Sequence, residues 1–308
     1  MTDSVIDQSE QAIAQGSQSF AAAARLFDRQ TRDDAVMLYA WCRHCDDVID
    51  GQTLGHDQQA DFRAGQQARL AELREQTARS LRGDIAGDYI FAALQRVVAR
   101  HDIPHRHPQE LLAGFEMDVT GRHYETIDDT LEYCYHVAGV VGVMMAMIMG
   151  ARDPLVLDRA SDLGLAFQLT NIARDVVEDA RAGRTYLPAE LLRRHGIDSI
   201  DPDDLAQWPR LHAAARDLLD LAERYYASAY SGLSALPPRS AWAIAAARRV
   251  YRAIGSKLRE GGASAWEARV STTRAEKLAL LTLSLGDVAS TRLPRANGAR
   301  TNLWQRPL

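Results

Sequence analysis

The sequence predicts an all-α protein, and three observations support that prediction. Runs in which β-branched and polar residues alternate, the pattern of half-buried strands, are nearly absent. Apolar residues instead recur with helical spacing along most of the 308 residues. No linker rich in Gly, Ser or Pro and no internal repeat divides the chain. We therefore expect one helical domain over residues 1–286, followed by a loose C-terminal tail at 287–308.

Clusters of glycine and proline mark where the predicted helices end. They lie at Gly51–Gly55, Pro104–Pro108, Asp153–Pro154, Gly196–Pro202 and Pro237–Pro238. Between these breaks the apolar periodicity predicts helices, in chain order, over residues 5–15, 20–30, 32–50, 57–82, 86–101, 108–121, 128–149, 154–181, 188–195, 203–234, 238–260 and 272–286.

The composition is that of a globular protein, with 46% apolar and 25% charged residues. The net charge is −5 and no long basic run occurs, which argues against a nucleic-acid partner. The first residues lack the charged and apolar regions of a secretory signal. Three cysteines without a framework spacing fit a reducing compartment. We therefore expect a cytoplasmic protein, with peripheral contact to the inner face of the membrane left open.

The predicted helix over 32–50 carries a polar stripe that we call the first carboxylate column. Tyr39, Arg43, Asp46 and Asp50 follow one another at spacings of four, three and four, which places them within about 60° of the helix circumference. Like charges four residues apart cost about 0.2–0.5 kcal/mol per pair even in solvent. Buried carboxylates would repel more strongly or would have to take up protons, and a bound divalent cation resolves that conflict.

The most apolar stretch of the chain, Val137–Met149, extends over about 13 residues and is shorter than a membrane span. Gly139 and Gly142 leave room beside it, and its methionines can adapt their shape to a ligand. We interpret the stretch as the lining of an apolar pocket. Ordinary packing between small residues explains the same pattern, and the two roles are compatible.

A second polar stripe lies in the helix over 154–181, within the segment 163–188. Its members occupy about 80° of an otherwise apolar helix, and we call them the second carboxylate column: Gln168, Asn171, Asp175 and Asp179. Oxygen ligands on a buried helix are costly unless a cation satisfies them. Either column alone could be a solvated acidic face. Two such columns, each beside an arginine, favour a shared magnesium–diphosphate site, because Mg²⁺ takes one or two carboxylates and fills its other positions with water and phosphate oxygens.

Other motifs indicate no further chemistry. The Trp41–Cys45 segment has the form WCxxC, but it lies inside a predicted helix and is interpreted as core cysteines. His101, His105 and His107 occur in a proline-rich segment without partner cysteines, so we predict a surface loop rather than a zinc site. Neither a dinucleotide fingerprint nor a P-loop is present.

The two columns and the stretch YCYHVAGVVGVMMAMI from Tyr133 resemble the signatures of the squalene/phytoene synthase family of head-to-head prenyl transferases. The resemblance extends from about Ser17 to about residue 275 and is closest to the bacterial members of carotenoid pathways. It implies a single-domain isoprenoid-synthase-type helical bundle around a central apolar cavity. It also implies that two molecules of geranylgeranyl diphosphate condense through prephytoene diphosphate to phytoene, with release of two diphosphates. Mg²⁺ is the implied cofactor, Mn²⁺ can substitute for it, and NADPH is not expected.

The resemblance also implies roles for individual residues. The implied metal ligands are Asp46, Asp50, Asn171, Asp175 and Asp179. The implied substrate-binding residues are Ser17, Ser19, Arg43, Gln168, Arg174, Arg184, Tyr251 and Arg269. The implied catalytic residues are Tyr39, Arg43, Tyr133, Arg174 and Tyr186.

Three alternatives remain open at this stage. The same fold could act on farnesyl diphosphate and stop at squalene or dehydrosqualene, because chain length depends on the depth of the pocket. A class I terpene cyclase is disfavoured, since its second motif is Asn-x-x-x-Ser/Thr-x-x-x-Glu whereas Asp175 and Asp179 follow Asn171 here. A non-catalytic helical scaffold would be expected to have lost its metal ligands, and this chain keeps both sets.

Overall fold

The computed structural model describes residues 5–6, 8–9, 23–52, 61–84, 88–293 and 300–307. Within these ranges the regular secondary structure is entirely helical, as the sequence predicts. The helices are α1 (Arg29–Asp50), α2 (Gln66–Leu81), α3 (Tyr89–His101), α4 (Arg106–Val119), α5 (Ile127–Ile148, with a π-helical turn at Tyr135–Gly139), α6 (Pro154–Arg181), α7 (Ala189–Arg194), α8 (Trp208–Gly232), α9 (Pro238–Gly261) and α10 (Arg274–Thr291).

Capping side chains explain several helix starts. Asp28 accepts a hydrogen bond from the Thr31 backbone N–H at 3.0 Å, so α1 begins at Arg29, earlier than the predicted start at residue 32. Asp153 caps α6, whose first residue is a proline, as the predicted break at Asp153–Pro154 indicates. A capping box formed by Thr273 and Glu276 starts α10.

The centre of the fold is the packing of α6 against α5 and α8. Two glycines allow the backbones of α5 and α6 to approach closely. A Cβ atom added to Gly164 would lie 2.3 Å from the carbonyl oxygen of Ala138, and one added to Gly142 would lie 2.4 Å from that of Ala160. These contacts leave no space for a side chain, so α5 and α6 are fixed relative to each other.

The apolar stretch belongs to a longer helix than its composition suggested. Helix α5 is 22 residues long with a mean hydropathy of 1.5 in its most apolar window, which is sufficient by length and composition alone for a membrane span. Since 67% of that window is buried inside the protein, its apolar surface is already covered by other helices. We therefore describe α5 as a core helix.

The end of the chain differs from the loose tail expected from residue 287. Helix α10 continues to Thr291, and residues 300–307 are attached to the body of the fold. Arg300 donates two hydrogen bonds to the buried carboxylate of Asp162, at 2.8 and 2.9 Å. The guanidinium of Arg306 contacts Asp158 at 2.6 Å. Both aspartates lie on α6, so the chain end is anchored to the central helix.

The prediction that His101, His105 and His107 lie in a surface loop is wrong for His101 and His107. His101 is the last residue of α3, and its ring contacts the buried Asp34 at 2.9 Å. His107 lies in the first turn of α4, where it is buried and hydrogen-bonded to Glu110 at 2.8 Å. The two short helices pack these rings against acidic partners, which sequence spacing alone did not reveal.

Candidate active site

A cavity of about 820 Å³ lies between the helices that carry the two columns. One part of its wall is apolar and includes residues of the apolar stretch that the sequence assigned to a pocket: Val137, Val141, Gly142, Met145 and Met149. The rest of the wall is polar and contains members of both columns. The cavity therefore joins a charged region to an apolar chamber.

The first carboxylate column reaches the cavity from α1. Arg43 lies between two carboxylates, at 3.1 Å from Asp46 and 2.9 Å from Asp47. Burial raises the pKa of Asp46 to about 7; Arg43 opposes this effect and the carboxylates of Asp50 and Asp47 add to it. One arginine is thus shared by several acids, and the column lacks the positive charge that would keep all of them ionised at no cost.

The second carboxylate column lies on α6, and it too has fewer positive charges than its buried acids need. Arg174 donates from Nε to Asp175 at 2.7 Å, and Arg269 approaches the same carboxylate at 3.4 Å. Burial and the neighbouring Asp175 raise the pKa of Asp179 to about 8. The side-chain oxygen of Asn171 is buried and has no hydrogen-bond partner, although its amide nitrogen donates to Gln168 at 3.4 Å. Such an oxygen is costly in isolation and is suited to a cation.

Arg184 connects the two columns. It follows the end of α6 and donates to Asp50 on α1 at 3.2 Å. Burial lowers the pKa of the Arg184 guanidinium, but the hydrogen bond to Asp50 and the charges around it together raise that pKa above its ordinary value. Asp118 and Asp179 lie close enough to Arg184 to interact with it electrostatically. The two columns, more than one hundred residues apart in sequence, therefore meet at one site.

Asp118 is a component of the site that the sequence analysis missed. The Tyr133 hydroxyl donates to it at 3.1 Å and the Tyr186 hydroxyl at 2.8 Å, while the two tyrosine rings stack with centroids 4.7 Å apart. Burial raises the pKa of Asp118 to about 6. The sequence held a signal for this acid, because its spacing places Asp118 on the same helical face as the apolar Leu111 and Phe115. In the structure all three line the cavity.

The structure brings most of the predicted site residues to the cavity wall. Those that line it are Tyr39, Arg43, Asp46, Asp50, Tyr133, Gln168, Asn171, Arg184, Tyr186 and Tyr251. Arg174, Asp175 and Arg269 form an adjoining ion-pair group, and the carboxylate of Asp179 interacts electrostatically with that of Asp175. Ser17 and Ser19 lie outside the described residues.

A family model for squalene/phytoene synthases matches residues 13–276. The chain belongs to the squalene/phytoene synthase family. It is 56% identical to a 15-cis-phytoene synthase of Paracoccus sp., across 100% of this chain and 99% of the relative. It is 50% identical to a 15-cis-phytoene synthase of Pantoea ananas, across 99% of each chain.

The fold agrees with solved members of the squalene/phytoene synthase family. A crystal structure of a dehydrosqualene synthase superposes with a TM-score of 0.81 and 27% identity, covering 93% of this chain and 97% of that one. A squalene synthase of Alicyclobacillus acidocaldarius superposes with a TM-score of 0.72, covering 84% and 94%; at 23% identity it supports the fold alone. The expected all-α, isoprenoid-synthase-type bundle around a central cavity is confirmed.

The residues present fit a divalent cation. In the described part of the chain, no three His, Cys, Asp or Glu side chains are arranged to hold one ion together. Arginines pair with Asp50 and Asp175 instead. The unpartnered oxygen of Asn171 and the raised pKa values of Asp46 and Asp179 nevertheless show that the site is short of positive charge. Oxygen donors of this kind are those that Mg²⁺ and similar hard cations prefer.

Proposed function

We propose that the protein is a 15-cis-phytoene synthase, which condenses two molecules of geranylgeranyl diphosphate to phytoene in carotenoid biosynthesis. The observation that supports it is the cavity, in which Arg43, Arg184 and the carboxylates of Asp46, Asp50 and Asp118 adjoin an apolar chamber. That combination suits a substrate with a diphosphate head and a hydrocarbon tail. The 15-cis-phytoene synthases of Paracoccus sp. and Pantoea ananas match 100% and 99% of this chain, which supports the same activity here.

The charged region would serve the loss of diphosphate. Ionisation of an allylic diphosphate separates charge, and a bound divalent metal supplies Lewis-acid stabilisation of the leaving group. Arg43 and Arg184 line the cavity, and Arg174 adjoins it, so guanidinium groups can bind the diphosphate oxygens in the bidentate manner that their geometry favours. These arginines are paired with carboxylates in the structure, and substrate binding would exchange those partners.

The apolar region would protect the carbocations. Water would quench an allylic or cyclopropylcarbinyl cation, so the chamber must be dry and free of nucleophiles. Val137, Val141, Met145, Met149 and Phe167 supply such a wall. The Tyr133 and Tyr186 hydroxyls donate hydrogen bonds to Asp118, so either phenol oxygen could take a proton from the cation as its own proton passes to the Asp118 carboxylate.

The finer details belong to the same proposal. We assign Asp46, Asp50, Asn171, Asp175 and Asp179 to Mg²⁺, with Mn²⁺ as a substitute, and expect no requirement for NADPH. The hydrocarbon product is insoluble in water, so we place the enzyme in the cytoplasm, in peripheral contact with the inner face of the membrane.

Product analysis tests this function. Purified protein would be supplied with farnesyl or geranylgeranyl diphosphate, each with Mg²⁺ and with or without NADPH, and the extracted hydrocarbon would be identified. We expect phytoene from the longer substrate at a rate independent of NADPH. Turnover of farnesyl diphosphate alone, to squalene or dehydrosqualene, would contradict the proposal.

A further inference from the structure

The outer face of α10 is unusually apolar. The described part of the chain leaves six large apolar side chains exposed, and four of them belong to α10 or the residues just after it: Leu278 at 65% exposure, Leu283 at 55%, Leu285 at 48% and Leu293 at 61%. Single exposed leucines are common on protein surfaces, whereas a concentration on one helix indicates an interaction site.

Helix α10 has the reverse of the usual surface pattern. Its inner face buries Ser284 and Asp287, which are polar. At about 100° per residue, the exposed Leu278 and Leu285 lie within about 20° of each other on a different face, and the half-buried Leu281 borders them. A surface helix normally turns its apolar side toward the core. Leu278 and Leu285 stay exposed after folding, so little hydrophobic stabilisation comes from them. Their position on the surface requires another explanation.

The same face continues into the cavity. Leu278 and Leu281 line the cavity wall together with Arg274 and Lys277 from the first turns of α10. Leu278 is both exposed and part of the cavity wall, so the exposed leucines of α10 begin at the edge of the chamber. The use of this edge by the product rests on the proposed function, which makes that product a long hydrocarbon.

The charges around this face are positive. The two acids of α10 are neutralised, since Glu276 pairs with Lys257 at 2.7 Å and Asp287 with Arg249 at 2.5 Å. Within the described residues, the Arg292 guanidinium donates to the backbone carbonyls of Ser234 and Leu236, at 3.1 and 2.6 Å, so its charge is not paired with a carboxylate there. Basic groups around an apolar helix face are typical of segments that lie on anionic lipid.

A second copy of the chain fits this face less well. A twofold interface places the same surface on both subunits, so the arginines at the ends of α10 would face arginines. The chain as a whole carries a net charge of −5, which makes the local excess of positive charge on α10 distinctive. An anionic bilayer supplies both the apolar and the negatively charged surface that this face requires.

We infer that the outer face of α10 docks the protein onto an anionic lipid bilayer, with the leucines inserted at the interface and the cavity opening toward the lipid. The interaction is peripheral, because one helix face and a few basic side chains are involved. Hydrocarbon would then leave the chamber directly into the acyl region.

Vesicle co-sedimentation without substrate tests this inference. The probes are vesicles of phosphatidylcholine alone and vesicles in which phosphatidylglycerol is added. We expect the protein to sediment with the anionic vesicles, and binding to fall as salt is raised. The double variant Leu285→Gln/Leu293→Gln removes two exposed leucines that do not line the cavity, and its binding should fall about tenfold or more.

The matched control is Leu205→Gln, which changes a leucine of 67% exposure far along the chain from α10 and should bind like the unmodified protein. Turnover of detergent-dispersed substrate shows that the double variant is folded. Equal vesicle binding by the double variant, or no binding by the unmodified protein, would overturn the inference. So would a dimer in solution that the double variant dissociates, because the face would then join two copies. Since the binding test needs no turnover, its failure is distinct from failure of the proposed reaction.

Discussion

Gly164→Ala tests the close approach of α5 and α6 on which the shape of the cavity depends. The added Cβ would lie 2.3 Å from the carbonyl oxygen of Ala138 and 2.7 Å from the Cα of Gly139. Both atoms are backbone and cannot rotate away. To reach even 3.0 Å from that oxygen, the two helices must separate by at least roughly 0.7 Å, the difference between the two distances.

The magnitude follows from two opposing effects. Forcing an extra methyl group into a packed core costs about 1–3 kcal/mol, and contacts with backbone belong at the upper end. Alanine in place of glycine within a helix returns about 1 kcal/mol. We therefore expect the free energy of unfolding to fall by about 2 kcal/mol, measured by urea denaturation with circular dichroism.

Gly286→Ala is the matched control. It makes the same substitution within α10, where an added Cβ meets no heavy atom within 4 Å. Helix propensity alone then applies, and the free energy of unfolding should rise by about 0.5–1 kcal/mol. Opposite signs at the two glycines would support the reasoning. A Gly164→Ala variant as stable as the unmodified protein would refute it, because the helices could then separate freely.

Three further predictions concern charged groups. Arg300→Gln leaves the buried carboxylate of Asp162 without its charged partner, so the free energy of unfolding should fall by about 3 kcal/mol or more in urea denaturation; a change below about 1 kcal/mol would show that the chain end is not an anchor. Asp118→Asn replaces the charged acceptor of two tyrosine hydroxyls and should lower kcat at least about tenfold with little change in thermal stability, and an unchanged kcat would exclude a positioning role. Asp50→Asn and Asp175→Asn should each abolish hydrocarbon formation while the helical circular dichroism is retained, and near-normal turnover in either would remove that residue from the metal site.

Features that depend on one helix could be predicted from the sequence. The stripe on α1 and the stripe on α6 are properties of local spacing, and the electrostatic cost of buried acids follows from their number. The structure adds the contact between them, through Arg184 and Asp50, which no periodicity contains.

Features that depend on packing between helices could not be predicted. Asp118 is one acid at the end of α4, and it becomes part of the site only because Tyr133 from α5 and Tyr186 from a loop converge on it. The chain end was expected to be loose because its composition is polar and irregular. Its attachment depends on Asp162, an acid inside an apolar helix whose need for a partner was the only signal.

Helix α6 reconciles stability with an unfavourable set of buried charges. Its first half is fixed by the pairing of Asp158 and Asp162 with the chain end and by the backbone contact at Gly164. Its second half carries Asp175 and Asp179, whose mutual repulsion and burial oppose folding at the site. Because an α-helix is continuous and stiff, fixing the first half also fixes the direction of the second. The contacts that hold the second carboxylate column at the cavity are therefore outside the site, and the charge deficit inside it is available to bind a cation and its diphosphate.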